Sequence, residues 1–278
     1  MNSESGPEIS PEISVVVPVH DEAENIVPLV DEIYAALAGG PGIEGDFEVG
    51  FEVIFVDDGS GDESFEFLAE QAAARPDFRA VRHALRAGQS AAIHSGVHAA
   101  RGTLIATLDG DGQNDPADIP KLLALYRSLA GTDAVGGGPL MIAGHRVERR
   151  DSWLKRISSS IANGVRARAL GDATPDTGCG LKLFPRDAFL EFPAFDHMHR
   201  FLPALMIRAG GRVISEGVSH RARARGQSKY GMWDRLWIGI ADLRGVGWLA
   251  RRPLRPEIAE TPDGLDGPDT PDTRDTGE

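Results

Sequence analysis

The chain has 278 residues, 41% hydrophobic and 26% charged, with a formal net charge of −13 and one cysteine, Cys179. That length allows one large α/β domain with appendages, and a lone cysteine excludes an internal disulfide and fits a reducing compartment. The acidic balance and the absence of a reader motif argue against nucleic acid, and neither a signal peptide nor an apolar run of about 18 residues appears. The expectation is a cytoplasmic chain, peripheral at most on the cytoplasmic face of a membrane.

In chain order, residues 1–12 are polar and read as disordered. Val15-Val16-Val17 open a β-branched strand that ends at Pro18-Val19-His20, and Asp21 is expected to cap a helix over residues 25–37. A second strand over 51–56 stops at Asp57-Asp58-Gly59-Ser60, and Asp62 begins a helix with Phe65, Leu68 and Ala72 at helical spacing. A short strand over 79–82, a small-residue helix over 88–100 and an apolar strand over 104–108 follow. That last strand runs into Asp109-Gly110-Asp111-Gly112-Gln113-Asn114-Asp115-Pro116. Alternating strands and helices with short loops predict a doubly wound, mostly parallel sheet with helices on both faces.

The second half is less regular. A helix over 119–129 precedes the Gly-rich stretch 136–139 and a basic, helical segment over 153–170. Strands are expected over 181–184 and 212–216, with a helix around 200–208 between them. Residues 232–252 carry Trp, apolar residues and flanking Arg, which suits an interfacial amphipathic helix, and equally a core-packed or dimer-forming one. From Glu257 to Glu278 eight acids stand at every third position among prolines, against one Arg, so residues 253–278 read as a disordered acidic tail. The expected organisation is one α/β domain over 13–231, the helical segment over 232–252 and the tail.

No Gly-x-Gly-x-x-Gly turn follows the first strand and no Gly-Lys-Ser/Thr loop occurs, which removes the usual hydride-transfer and ATPase signatures. What does occur is a series of polar strand ends, Pro18 to Glu22, Asp57 to Ser60, Gly88-Gln89-Ser90 and Asp109 to Gln113. An open α/β sheet places its ligands at such ends, and two adjacent carboxylates there suit Mg²⁺ or Mn²⁺. Taken alone, the acid pair also reads as a turn.

In this order and spacing the motifs resemble the inverting family 2 glycosyltransferases of GT-A fold, most closely their polyprenyl-phosphate (dolichol-phosphate mannosyltransferase-like) branch, from about Ile13 to Arg252. The resemblance implies a nucleotide-diphosphate sugar as donor and a lipid phosphate as acceptor. Asp57 would take the base, walled by Pro18, His20 and Glu22, with Gly88 and Asp109 also on the nucleotide side. Asp109, Asp111 and Gln113 would hold the metal, and Asp111 and Asp176 are the catalytic carboxylates, Asp176 being the candidate base. Arg146, Lys155 and Ser159 match the acceptor-phosphate region, and Arg223, Ser228 and Lys229 would close over the diphosphate. Arg offers phosphate a fork of donors and Lys a point charge. Cys179 reads as a small packing residue. His20-Asp21 departs from the aromatic-Asn pair common in the family, which leaves base selectivity open. A metal-dependent nucleotidyltransferase and a non-catalytic nucleotide-sugar-binding module are the competing classes, and a homo-oligomer is compatible with all three.

Overall fold

The structure is a computed structural model that describes residues 11–38, 50–132, 137–147, 170–172, 174–221 and 232–252. Its elements are β1 (Ile13–Val19), α1 (Ala23–Leu37), β2 (Phe51–Asp57), α2 (Ser64–Ala74), β3 (Phe78–Arg82), α3 (Gln89–Ala99), β4 (Leu104–Thr107) and α4 (Ile119–Leu129). After them come β5 (Leu140–Arg146), β6 (Lys182–Pro185), α5 (Arg186–Leu190), α6 (Leu202–Arg208), β7 (Arg212–Val218) and α7 (Met232–Ala250). The basic segment from 153 to 169, with Lys155 and Ser159, lies outside the described residues, as do Arg223, Ser228, Lys229 and the tail.

One seven-stranded sheet runs β3-β2-β1-β4-β6-β5-β7. All seven residues of β1 are buried, as a central strand covered on both faces requires. Side chains alternate between the faces: Val15, Val17 and Val19 pack with Ile26, Ile33 and Leu122 of α1 and α4, whereas Val16 packs with Ile93, Val97 and Leu205 of α3 and α6. Two apolar layers therefore sandwich the sheet, the architecture expected from the alternating pattern.

The departure from a purely parallel sheet sets up the chemistry. β6 is antiparallel to both β4 and β5, with Lys182 opposite Thr107 on one side and Ala143 on the other. The start of β6 thus lies beside the end of β4 and the middle of β5, and the loop before it runs on along the last residues of β5, where Gly144 N–H donates to Leu181 O. The loop entering β6, the acids that follow β4 and Arg146 are thereby brought to one edge.

Several local expectations are corrected. Asp21 is not the cap of α1: it stands at φ 54° with Oδ1 accepting from the Gly61 N–H, while the cap residue is Glu22, without a side-chain capping bond. β5 was not expected, because a short, fully buried apolar run bounded by Gly and Pro carries no period to announce it. The helix expected around 200–208 divides into a 3₁₀ turn over Met198–Arg200 and the shorter α6. Glu12, at the edge of the segment expected to be disordered, is anchored: its N–H donates to Gly50 O and its carboxylate pairs with Arg127.

α7 docks on α6 through Leu243 and Val246, which meet Phe201, Ala204 and Leu170. Arg208 donates to the Leu249 and Arg252 carbonyls at 3.0 and 3.3 Å, placing a cation on the acceptor-rich end of the helix. Trp248 stays 55% exposed, with the Arg252 guanidinium 4.7 Å from its ring centroid. Among the described residues no helix is long and apolar enough to cross a membrane.

Candidate functional site

The strand ends surround an open cleft of about 540 Å³. From β1 it is lined by Pro18, Val19, His20 and Glu22, after β2 by Asp58, at the start of α3 by Gln89, and after β4 by Asp109, Gly110 and Asp111. Thr177 to Gly180, Lys182, His199 and Arg200 complete its lining. Of the residues expected on the nucleotide side, Pro18, His20, Glu22 and Asp109 line the cleft; Asp57 and Gly88 do not.

Asp57 is fully buried, its Oδ1 accepting from Ser60 N–H at 3.0 Å and its Oδ2 lying 3.2 Å from Arg82 Nε. Its neighbour Asp58 reaches the cleft wall, where its carboxylate accepts from the N–H groups of Ala87 (2.8 Å) and Gly88 (2.7 Å) and from His83 Nδ1 (2.8 Å). Burial pushes the Asp58 carboxyl up, but those donors outweigh it and hold it below the usual carboxylate range. The Ala87 and Gly88 amides, which lead into α3, are thus turned on an internal carboxylate. Gly88 takes φ 95°, a conformation open to glycine.

The acid pair lies where the motif placed it. Asp109 is half-buried, and its carboxyl is pushed up to about 6, first by burial and then by Asp111, against the opposing pull of Lys182, the Gln89 hydrogen bond and Arg146. Gln89 Nε2 donates to Asp109 Oδ1 at 2.8 Å, and Asn114 Oδ1 accepts from the Asp109 N–H at 3.2 Å. Asp111 Oδ1 accepts from the Gln113 N–H at 3.1 Å. A carboxylate whose ionisation is disfavoured by burial and by a neighbouring carboxylate gains from a divalent cation, so the donor set fits one. A Cβ on Gly180 would overlap the Asp109 carboxylate, and one on Gly110 would overlap Val19 and the Pro18 carbonyl. These glycines let the loops close around the acids. Gln113, expected as third ligand, does not line the cleft; its Nε2 donates to the Arg221 carbonyl at 3.4 Å. Among the described residues no three His, Cys, Asp or Glu converge on one point.

Arg146, at the end of β5, and Asp176 form a forked pair: Nε to Oδ2 at 2.6 Å and Nη2 to Oδ1 at 2.8 Å, with the Arg146 backbone N–H on Oδ2 at 3.3 Å. Both carboxylate oxygens are engaged and the Asp176 side chain is 7% exposed. Cys179 is buried against Asn114, and burial raises its thiol pKa, in keeping with packing.

Asp58 and Gln89 stand in polar strand ends that the sequence marked, but sequence reasoning gave no individual role to them, to Lys182 or to His199. Lys182 had a legible signal, a cation inside the apolar run Leu181 to Phe184; it is 4% exposed and its Nζ donates to the Cys179 carbonyl. The role of His199 was not legible locally, because its position depends on a contact with Ser90, 109 residues away.

The sequence profile of Glycosyl transferase family 2 matches residues 14–192. Dodecaprenyl-phosphate galacturonate synthase of Rhizobium johnstonii is 34% identical over 88% of this chain and 69% of its own length. Undecaprenyl-phosphate 4-deoxy-4-formamido-L-arabinose transferases are 35% identical in Edwardsiella ictaluri (87% of this chain, 69% of theirs) and 36% in Pseudomonas aeruginosa (78% and 60%). Among solved structures, a mannosyltransferase of Pyrobaculum calidifontis in complex with GDP-Man and Mn²⁺ superposes with a TM-score of 0.53 at 22% identity, over 80% of this chain and 59% of its own. Glucosyl-3-phosphoglycerate synthase of Mycobacterium tuberculosis, in complex with Mn²⁺, UDP and glucosyl-3-phosphoglycerate, gives 0.56 at 19%, over 87% and 80%. The fold is shared with both. The chain spans between 60 and 69% of the length of the three curated relatives named.

Proposed function

The chain belongs to glycosyl transferase family 2, and from that premise we propose that its cleft takes a nucleotide-diphosphate sugar and transfers the sugar, with inversion, to a polyprenyl phosphate. The observation that carries this reading is the convergence of the acid pair after β4, the loop entering β6 and Arg146 on one edge of the sheet. A nucleotidyltransferase has no use for the Arg146 side of that convergence.

The base and ribose lie against Pro18, His20 and Glu22, with Asp58 on the wall behind them. Asp109 and Asp111 would hold Mg²⁺ or Mn²⁺, whose charge would offset that of the departing diphosphate, and Gln113 braces Asp111 through its N–H. Lys182 adds a fixed positive charge beside Asp109. Arg223, Ser228 and Lys229 supply further donors to the diphosphate, and Lys155 and Ser159 join Arg146 at the acceptor phosphate. The forked Asp176 pair fixes the orientation of the Arg146 guanidinium, so that its remaining N–H groups meet a phosphate without reorganisation.

A phosphate monoester, with a second pKa of about 6, is largely ionised near neutrality and attacks the anomeric carbon without a strong base. Asp176 is then a positioning residue. Asp176→Asn is expected to leave donor affinity unchanged and to lower turnover about tenfold through a misplaced Arg146. A loss beyond about a thousandfold, with donor binding intact, is the signature of a hydroxyl acceptor that needs Asp176 as base. Initial rates with undecaprenyl phosphate, alongside donor titrations, separate the two.

A further inference from the structure

His199 and Ser90 form a pair that the reaction as described does not use. The Ser90 side chain is nearly inaccessible, at 3% exposure, and its Oγ accepts from the His199 backbone N–H at 3.2 Å while lying 2.7 Å from His199 Nδ1. A buried hydroxyl gives its own proton to an acceptor. With the Oγ already accepting the backbone N–H, its proton is best used toward Nδ1, which makes Nδ1 the acceptor and leaves the ring proton on Nε2. Burial, and then the positive charges of Arg200, Lys182 and His197, hold the imidazole down to about 3, so the ring is neutral across the working range.

His199, held to Ser90 at the start of α3, lines the cleft together with Ile93, Leu202 and Gln89, whose amide is bonded to the metal-side Asp109. Charged donors for a diphosphate are already supplied there by Lys182 and Arg200. An uncharged N–H next to apolar side chains suits an uncharged oxygen instead. We propose that His199 presents its Nε2–H, in a tautomer fixed by Ser90, to a hydroxyl or ring oxygen of the donor's sugar and so contributes to sugar selectivity. The ligand named rests on the donor reading of the cleft; the tautomer does not.

Two measurements test it. In protein labelled with ¹⁵N-histidine, the long-range ¹H–¹⁵N pattern of His199, assigned with the His199→Phe variant, is expected to be that of a neutral ring protonated at Nε2, and in Ser90→Ala it is expected to become a mixture. An Nδ1–H pattern or an imidazolium in the wild type overturns the proposal. In calorimetric titrations with Mn²⁺, UDP is compared with UDP-glucose and UDP-glucuronate, and GDP with GDP-mannose, using the pair that the wild type binds. His199→Phe is expected to keep its affinity for the nucleoside diphosphate and to lose about tenfold for the nucleotide sugar. His199→Gln, whose amide N–H reaches the same place, stays within about twofold of wild type for both. An unchanged ratio in His199→Phe, or an equal loss for both ligands, overturns the proposal. Should the wild type bind no nucleotide at all, the donor reading falls and takes the named ligand with it, an outcome told apart because the histidine spectrum is read on the free protein.

Discussion

At the scale of single residues, Asp109 carries the tension of the site. Its folded pKa of about 6 stands above its ordinary 3.8, so the folded state binds more protons than the unfolded chain between those values. Stability therefore falls as pH rises through that window, and at pH 7 the ionised carboxylate is a net cost. Partial exposure screens the effect to about 1–2 kcal/mol. Asp109→Asn is expected to raise the melting temperature of the free protein at pH 7 and to abolish any stabilisation by nucleotide with Mn²⁺; an unchanged or lower melting temperature would count against the like-charge account. The residue types at the site were legible because Asp-x-Asp after an apolar strand is a local pattern. Which of Asp57 and Asp58 faces the cleft was not, since adjacent residues at a strand end point in opposite directions and only the partners decide. Arg82 and Ser60 take the first, and the Ala87, Gly88 and His83 donors take the second.

Among elements, the link between β2 and α3 is sensitive to acid. The loop before α3 is held to β2 through the Asp58 carboxylate, whose pKa is lowered from 3.8. A group with a depressed folded pKa contributes stability that is fully present above its unfolded value and is lost as pH falls through the folded one. Melting followed between pH 6 and pH 2.5 is expected to show a steep loss below about 4 in the wild type. Asp58→Asn, with fewer acceptors for the same N–H groups, is expected to start about 2 kcal/mol less stable at pH 6 and to show a shallower acid limb. Parallel limbs would contradict the assignment. The first half of the sheet was readable in the sequence, where apolar strands alternate with amphipathic helices and each is bounded by a polar loop. The second half was not: β5 lacks a period, and nothing local in Lys182–Pro185 states that β6 runs antiparallel between β4 and β5. That reversal, decided by long-range pairing, is what gathers the loop entering β6 and Arg146 beside the acid pair.

For the whole molecule, the acidic net charge and the function proposed for the cleft point in different directions, because a polyprenyl phosphate resides in a membrane whose cytoplasmic face is anionic. α7 offers a local resolution: it docks through Leu243 and Val246 and presents Trp248 with Arg252 stacked on its ring. Co-sedimentation with vesicles rich in anionic phospholipid is expected to retain the protein at low salt, and Trp248→Ser to cut the bound fraction about threefold without altering nucleotide binding. Equal retention of the variant would remove α7 from the contact. The central claim, that the acid pair at the end of β4 joins a divalent cation to a nucleotide diphosphate, is tested most directly by thermal shift with UDP and GDP, with and without Mn²⁺, in the wild type and in Asp111→Ala. The account predicts that one nucleotide raises the wild-type melting temperature only when Mn²⁺ is present, and that Asp111→Ala loses that rise while keeping its own fold. A metal-independent rise, no rise with either nucleotide, or an undiminished rise in Asp111→Ala would contradict it.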